Sequence, residues 1–192
     1  DDGNISFKSI DHLGSIIHDD TQIQKHVEKI LDLEFVNVDA IKKADFKVAF
    51  DAVNSTGGIS IPVLLKALGV ANIIPLFDEP SGIFPHNPEP LPENLSIICD
   101  EVVKQKADVG FVVDPDVDRL AIISENGEVF GEEYTLVAVA DYLLSKKKGN
   151  TVSNLSSTRA LRDISHKHGV EYHASAVGEV NVVEMMKATQ AI

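Results

Sequence analysis

Strand-like and helix-like segments alternate along this chain of 192 residues, and that alternation restricts its fold more than any other feature. Short apolar runs predict the strands, and longer amphipathic segments predict the helices between them. The predicted order of strand, helix, strand, helix and strand covers residues 46–50, 59–68, 70–76, 93–106 and 109–113. Strands that are joined in this way by helices form a mostly parallel sheet that the helices cover.

The pattern changes after the third predicted strand. Residues 120–124 and 128–130 flank Asn126-Gly127, a strong signal for a β-hairpin, which adds antiparallel strands to the sheet. A long helix is predicted over Glu132–Lys147. The alternation then restarts, with elements at 151–155, 158–168, 170–175 and 179–188. We therefore expect an α/β fold: a three-layer α/β/α sandwich with a mostly parallel sheet and an antiparallel hairpin, followed by a truncated second α/β unit.

Changes of pattern divide the chain into three predicted parts. Residues 1–35 are polar and weakly patterned, apart from a helix that begins at a capping box of Thr21 and Gln24, and we expect them to be the remnant of a preceding domain. Residues 36–148 form the complete α/β/α domain, and residues 149–192 form the partial one. Because the chain begins without methionine and stops within a helical pattern, we expect it to be a piece of a longer protein.

The charge and cysteine content of the chain restrict its partners and its location. The 30 acidic and 17 basic residues give a formal net charge of −13, so neither nucleic acid nor a membrane surface is an expected partner. No apolar run is long enough for a transmembrane helix. The single cysteine, Cys99, rules out an internal disulfide bond and indicates a reducing, cytoplasmic location. The seven histidines, including His86, lack metal-ligand spacing, and we expect surface or structural roles for them.

Three aspartates at alternate positions, Asp114, Asp116 and Asp118, follow the predicted strand at 109–113. Three carboxylates so close together repel one another unless a cation lies between them, and hard divalent cations accept such oxygen ligands. The carboxyl end of a strand is also where open α/β sheets bind ligands. Arg119 follows directly and offers a planar group that can hold a phosphate.

This aspartate-rich stretch has three interpretations. It could be an acidic surface turn, because aspartate is common in turns. Its spacing resembles an EF-hand with Glu125 at the twelfth position, but we reject that interpretation because Arg119 stands where the EF-hand loop requires glycine, and because predicted strands flank the loop. The interpretation that we favour is an Mg²⁺ site for phosphate chemistry, in which a few protein carboxylates share the ion with water and phosphate oxygens.

Two other strand-to-helix connections are candidate ligand loops. Ser55-Thr56-Gly57-Gly58 could hold an anion through its backbone N–H groups, but it lacks the full phosphate-loop pattern, and a plain connecting turn is the simpler interpretation. Val177-Gly178-Glu179 connects a predicted strand to a predicted helix, a position where ligands often bind, and a plain turn explains it equally well.

Three segments of the chain resemble motifs of the α-D-phosphohexomutase superfamily, which contains phosphoglucomutases, phosphomannomutases and phosphoglucosamine mutases. Residues 114–119 resemble the superfamily's Asp-Gly-Asp-Gly-Asp-Arg metal loop, with proline and valine in place of the two glycines. Residues 51–58 resemble its strand and glycine turn, and residues 84–89 resemble its Phe-Pro…Pro-Asn-Pro-Glu segment.

The resemblance implies a four-domain enzyme, of which this chain supplies the end of the first domain, the second domain and the start of the third. It implies the transfer of phosphate between O1 and O6 of a hexose phosphate, through a phosphoserine and a hexose bisphosphate. Asp114, Asp116 and Asp118 would bind Mg²⁺, and Asp118 with Arg119 would contact the phosphoserine or the substrate. The Val177-Gly178-Glu179 loop would face the sugar.

The resemblance also implies that the catalytic serine lies upstream of Asp1, so we expect this chain to be inactive alone and to bind Mg²⁺ weakly. The expected partners are a hexose phosphate, a hexose bisphosphate and the missing first, third and fourth domains. From the residues themselves, two other functions stay open. One is a metal-dependent nucleotide-sugar glycosyltransferase, because Asp-x-Asp after a strand can hold a metal and a diphosphate, and the other is a non-enzymatic Ca²⁺-stabilised module.

Overall fold

The computed structural model describes residues 6–131 and 133–192. Residues 1–5, which begin the first predicted part, and Glu132, which begins the long predicted helix, lie outside the described residues. The helices are α1 (Gln22–Leu31), α2 (Val38–Ala44), α3 (Gly57–Ala67), α4 (Ser96–Gln105), α5 (Tyr134–Lys146), α6 (Ala160–His168) and α7 (Glu179–Thr189). The strands are β1 (Lys47–Asp51), β2 (Asn72–Leu76), β3 (Val109–Val113), β4 (Leu120–Ser124), β5 (Thr151–Asn154) and β6 (Tyr172–Ser175). Within these two ranges, no helix has the combination of length and apolarity that crossing a bilayer requires.

Four strands form the first sheet in the order β2-β1-β3-β4. β1 lies between β2 and β3 and is parallel to both, whereas β4 is antiparallel to β3. A second sheet pairs β5 with β6 in parallel. The expected α/β fold, with a mostly parallel sheet and one antiparallel addition, is therefore confirmed.

Alternate side chains of β1 face opposite sides of the first sheet, as the two-residue period of a strand requires. Ala49 belongs to a buried cluster that contains Ile98 of α4. Its neighbours Val48 and Phe50 belong to a second cluster, which contains Leu65 of α3, on the other side of the sheet. Helices therefore cover both faces, and the burial of each large apolar side chain contributes about 1.5–3 kcal/mol to the stability of these layers.

α5 contacts β4 of the first sheet and packs against α6, which lies beside the second sheet. Asp141 of α5 lies 2.5 Å from His168 Nε2 and 3.0 Å from Lys167 Nζ, both at the end of α6. The hydrogen bond with His168 is the largest cause that lowers the pKa of Asp141, and the hydrogen bond with Lys167 lowers it further. At the other end of α6, Leu161 lines the same cleft as Asp118 and Arg119 of the loop between β3 and β4.

Most predicted elements differ from the structure by one or two residues at their ends, and two differ in kind. The helix predicted over 93–106 consists of α4 and a separate 3₁₀ turn at Pro92–Asn94. The hairpin turn at Asn126-Gly127 forms, with its Gly127 N–H donating to the carbonyl of Ser124 at 2.9 Å. The return arm predicted at 128–130, however, makes a single β-bridge and no strand.

The capping box predicted at the start of α1 is wrong. Thr21 has helical backbone angles (φ −87°, ψ −9°), and its side chain makes no capping hydrogen bond. Its hydroxyl donates to Asp19 Oδ1 at 2.6 Å, and the Gln24 amide donates to Glu28 one turn further along the helix. The carboxylate of Asp19 is a charged acceptor, and hydrogen bonds to charged groups are stronger than those of a neutral capping box.

Gly58, in the first turn of α3, allows this helix to lie against the loop after β2. A Cβ atom at this position would collide with the backbone carbonyl of Asp78. Gly58→Ala should therefore lower the free energy of unfolding by about 3 kcal/mol, measured by urea denaturation. Gly14→Ala is the control, because a Cβ atom there has nothing within 4 Å, and it should change stability by less than about 0.5 kcal/mol. Equal effects of the two substitutions would contradict the close approach.

Candidate metal and phosphate site

Three loops lie at the carboxyl edge of the first sheet. We call them the Ser-Thr turn (52–58, after β1), the proline loop (77–92, after β2) and the aspartate loop (114–119, between β3 and β4). Because β1 lies between β2 and β3, the Ser-Thr turn borders both of the other loops. Such an edge is where open α/β sheets bind ligands.

The aspartate loop brings its three carboxylates together. Asp114, Asp116 and Asp118 can each offer one oxygen such that all three oxygens lie within 4.8 Å of one another. Asp114 is buried, whereas the other two are exposed. Its Oδ1 accepts the N–H groups of Asp118 at 3.1 Å and of Arg119 at 3.0 Å, which closes the loop into a tight turn. The three side chains that the sequence pattern singles out are therefore neighbours.

The crowding of these carboxylates raises the pKa of Asp118. A hydrogen bond with the Asp114 side chain raises the pKa of Asp118, and the negative charges of Asp116 and Asp114 raise it further. A divalent cation between the three oxygens would relieve this repulsion, and an all-oxygen donor set is what Mg²⁺ and Ca²⁺ accept. The loop therefore fits a hard divalent cation, with coordination positions left over for water or phosphate oxygens.

The strands that flank the aspartate loop exclude an EF-hand. β3 and β4 enter and leave the loop as an antiparallel pair, where an EF-hand has two helices. Glu125, which the EF-hand interpretation would use as a ligand, follows the far end of β4 and is outside the carboxylate group.

Val117 adopts a backbone conformation that favours glycine. Its φ is +64°, and such a conformation costs a non-glycine residue about 1–3 kcal/mol. The turn allows the Val117 N–H to donate to the Asp114 carbonyl at 3.2 Å. Val53, Asn54 and Phe77 in the two neighbouring loops also have positive φ. Strained backbone is thus concentrated at this edge of the sheet, as it often is at functional sites.

Arg119, the last residue of the aspartate loop, lines a wide cleft. Its Nη1 donates to Glu89 Oε1 of the proline loop at 2.7 Å, and this hydrogen bond raises the pKa of Arg119. The cleft has a volume of about 580 Å³, and its lining includes Asp118, Arg119, Glu133 and Thr158. Small-molecule sites have volumes of about 300–1,000 Å³, so this cleft is large enough for a sugar phosphate.

A contact between the buried Asp51 and the partly buried His86 holds the proline loop at the end of β1. His86 Nε2 lies 2.9 Å from Asp51 Oδ2, and His86 Nδ1 lies 2.8 Å from the Asn87 carbonyl oxygen. Asp51 is 1% exposed, and its Oδ1 accepts the Val53 N–H at 2.9 Å. Burial raises the pKa of Asp51, while the hydrogen bonds from Val53 and His86 partly oppose the shift. His86 thus has a structural role, one of the two roles expected for the histidines.

The Ser-Thr turn contacts the aspartate loop through two hydroxyls. Ser55 Oγ and Thr56 Oγ1 each donate to the carbonyl oxygen of Pro115 at 2.8 Å. The turn opens α3, as the sequence predicts. Its support of a loop about 60 residues away has no signal in the sequence.

The remaining predicted site segment, Val177-Gly178-Glu179, lies at the carboxyl end of β6. Gly178 has a φ of +117° and directly precedes α7. The carbonyl of Val177 accepts from Asn181 Nδ2 at 2.9 Å, so the segment is tied to its own helix. In the described part of the chain, no hydrogen bond or ion pair links it to the aspartate loop, and its role in sugar binding stays a prediction.

Comparisons with known families agree with the resemblance seen in the motifs. The family profile described as "Phosphoglucomutase/phosphomannomutase, alpha/beta/alpha domain II" matches residues 24–127, and the profile for domain III of the same family matches residues 131–192. The first match contains the aspartate loop and the proline loop. These matches favour neither a glycosyltransferase nor a calcium-stabilised module.

Named relatives and a solved structure extend this similarity. A Methanopyrus kandleri protein named "Probable phosphoglucosamine mutase" is 30% identical over 97% of this chain, and a Pseudomonas putida phosphomannomutase/phosphoglucomutase is 32% identical over 91% of it. The chain spans 40% of the first relative and 39% of the second. The crystal structure of a phosphoglucomutase/phosphomannomutase family protein from Burkholderia thailandensis has a TM-score of 0.72 at 27% identity, over 88% of this chain and 36% of that one.

Proposed function

The chain belongs to the phosphoglucomutase/phosphomannomutase family, and from this premise we propose that it supplies the cation- and phosphate-binding part of a cytoplasmic phosphohexomutase. The whole protein would interconvert hexose 1-phosphate and hexose 6-phosphate through a phosphoserine and a hexose bisphosphate. The observation that carries this proposal is the group of three carboxylate oxygens within 4.8 Å at the carboxyl end of β3. The activity is proposed for the whole protein, because the chain spans 40% of its first relative.

Asp114, Asp116 and Asp118 would hold Mg²⁺, which neutralises charge on a transferring phosphoryl group when it is bound. Asp114 is fixed by two backbone N–H groups, so it would be the rigid ligand. Of the two exposed aspartates, Asp118 lines the cleft. Arg119 would bind phosphate oxygens through its planar guanidinium. Glu89 engages Nη1, so a phosphate can approach Nη2 and Nε.

Two further assignments belong to this proposal. Val177, Gly178 and Glu179 would face the sugar, with the exposed Glu179 carboxylate accepting hydrogen bonds from sugar hydroxyls. Residues 36–148 would form the second domain of the enzyme and residues 149–192 part of the third, with residues 1–35 as the end of the first. The two profile matches meet earlier, between residues 127 and 131. With a net charge of −13, the chain as a whole repels sugar phosphates, so Arg119 and the bound cation would supply the local attraction.

The test is an assay of the full-length protein that carries this chain. Interconversion of the 1- and 6-phosphates of glucose, mannose and glucosamine is followed by phosphorus NMR, with Mg²⁺ and a hexose bisphosphate present. We expect interconversion of at least one pair and its loss when a chelator removes the metal. The 192-residue chain alone is the control and should show no turnover. Failure of the full-length protein with all three sugars would rule the proposal out.

A further inference from the structure

The two hydroxyls of the Ser-Thr turn are directed away from the helix that they precede. Thr56 is the N-cap residue of α3, where a hydroxyl usually accepts a hydrogen bond from a helix N–H group. Its side chain makes no such capping bond. Instead, Thr56 Oγ1 and Ser55 Oγ both donate to the carbonyl of Pro115 at 2.8 Å. Two donors on one distant carbonyl indicate that the orientation of this carbonyl matters.

The carbonyl of Pro115 belongs to the central peptide of a turn. The Val117 N–H donates to the Asp114 carbonyl at 3.2 Å, so residues 114–117 form a β-turn whose central peptide joins Pro115 to Asp116. The two commonest turn types differ by a flip of this central peptide. A flip would change the direction of the Asp116 side chain relative to Asp114. The two hydroxyls oppose the flip by holding the carbonyl on the side of α3.

We propose that Ser55 and Thr56 are positioning residues for the aspartate loop: their hydroxyls fix the Pro115–Asp116 peptide, so that the three carboxylates stay within reach of one cation. The part of this inference that concerns the cation rests on the proposed function. Groups that orient metal ligands without touching the metal typically change metal affinity by tenfold to hundredfold when they are removed. Val117, held at a φ of +64°, increases the need for such support, because the strained turn can otherwise relax.

The experiment compares the chain with the double variant Ser55→Ala/Thr56→Val, which removes both hydroxyls and keeps the shape of the threonine side chain. Thr56→Ser keeps the second hydroxyl and is the conservative control. Ser60→Ala is the control for a hydroxyl elsewhere on α3.

Mn²⁺ replaces Mg²⁺ as the probe, because it also accepts oxygen ligands and it broadens the NMR signals of nearby amides. Hydrogen exchange of the Val117, Asp118 and Arg119 amides is measured without metal, together with a urea denaturation curve.

We expect the double variant to remain folded, to bind Mn²⁺ roughly tenfold to hundredfold more weakly, and to exchange the Val117 amide faster than the unsubstituted chain. Both controls should behave like the unsubstituted chain. Unchanged Mn²⁺ affinity in the folded double variant would overturn the proposal. If the unsubstituted chain binds no Mn²⁺, the cation part of the proposed function fails. The amide exchange then decides separately whether the hydroxyls hold the loop. Faster exchange in the double variant supports the positioning role, and unchanged exchange refutes it.

Discussion

Asp116→Asn is expected to weaken the binding of Mg²⁺ or Mn²⁺ to this chain by at least about tenfold, because it removes one of three charged oxygen ligands and keeps the side-chain shape. A substitution at Asp116 is the simplest of the three to interpret. In the described residues its carboxylate accepts no hydrogen bond, whereas Asp114 holds the amides of Asp118 and Arg119. Calorimetric titration measures the affinity, and Glu125→Gln is the matched control, since Glu125 is outside the carboxylate group.

In the metal-free chain, Asp116→Asn should be favourable for stability, because it removes one of the crowded negative charges. The charge of Asp116 is one of the causes that raise the pKa of Asp118, so its removal moves that pKa down toward the ordinary value. A raised carboxyl pKa means that folding is favoured when the group is protonated, and this contribution is lost as the pH rises through the folded-state pKa. In Asp116→Asn we therefore expect a smaller loss of metal-free stability as the pH rises through this range, measured by urea denaturation. Equal metal affinity in Asp116→Asn and Glu125→Gln would show that the three aspartates are not a cation site.

Local pattern predicts the elements around the aspartate loop well. β3 and β4 have the bounds expected from their apolar runs, since the polar residues on each side end both strands at once. The proximity of Asp114, Asp116 and Asp118 also follows from short-range spacing, because residues so close in sequence share one turn. The capping box at Thr21 shows the limit of such reasoning, since a nearby carboxylate at Asp19 competes for the same hydroxyl.

The contacts that hold the loops in place depend on the order of the strands in the sheet. Spacing along the chain does not reveal that order. The contacts of Asp51 with His86 and of Ser55 with Pro115 exist because β1 lies between β2 and β3, and that order brings the loops after all three strands together. Val117 itself gives no signal for its positive φ, because β-branched residues rarely adopt it, but the glycine at the matching position of the superfamily's metal loop indicates a backbone that turns in this way. The sequence therefore predicts the residues that carry the chemistry, but it does not predict the contacts that orient them.

His86→Ala is expected to lower the free energy of unfolding by about 3–5 kcal/mol at neutral pH, because it leaves the carboxylate of Asp51 buried without its partner. Asp51 is 1% exposed, and its Oδ2 has the His86 imidazole as its partner. Denaturation by urea measures the loss. His18→Ala is the control, because His18 is exposed, and it should change stability by less than about 0.5 kcal/mol.

The loss of unfolding free energy in His86→Ala should depend on pH, and the pKa of Asp51 determines the direction of that dependence. Burial raises this pKa, and removal of His86 takes away a hydrogen bond and a charge that oppose the shift. A raised carboxyl pKa contributes stability below the unfolded-state value, and that stability is lost as the pH rises through the folded-state pKa. The difference between His86→Ala and the unsubstituted chain is therefore largest above the folded-state pKa of Asp51 and shrinks as the pH falls and the carboxyl becomes neutral. A deficit that is the same at all pH values would mean that lost packing, and not an unpaired charge, causes it.

A double-mutant cycle separates these two causes. Asp51→Asn keeps an oxygen for the Val53 N–H and removes the charge, so the double variant Asp51→Asn/His86→Ala has no buried carboxylate to leave unpaired. We expect it to be less destabilised than the sum of the two single variants, and to lose the pH dependence of His86→Ala. Because His86 and Glu89 lie on the same proline loop, loosening the contact between Asp51 and His86 should also free Arg119 from Glu89, which the NMR signal of the Arg119 Nε–H group would report. Additive destabilisation together with an unchanged Arg119 signal would show that Asp51 and His86 act independently, and that their pair does not hold the proline loop.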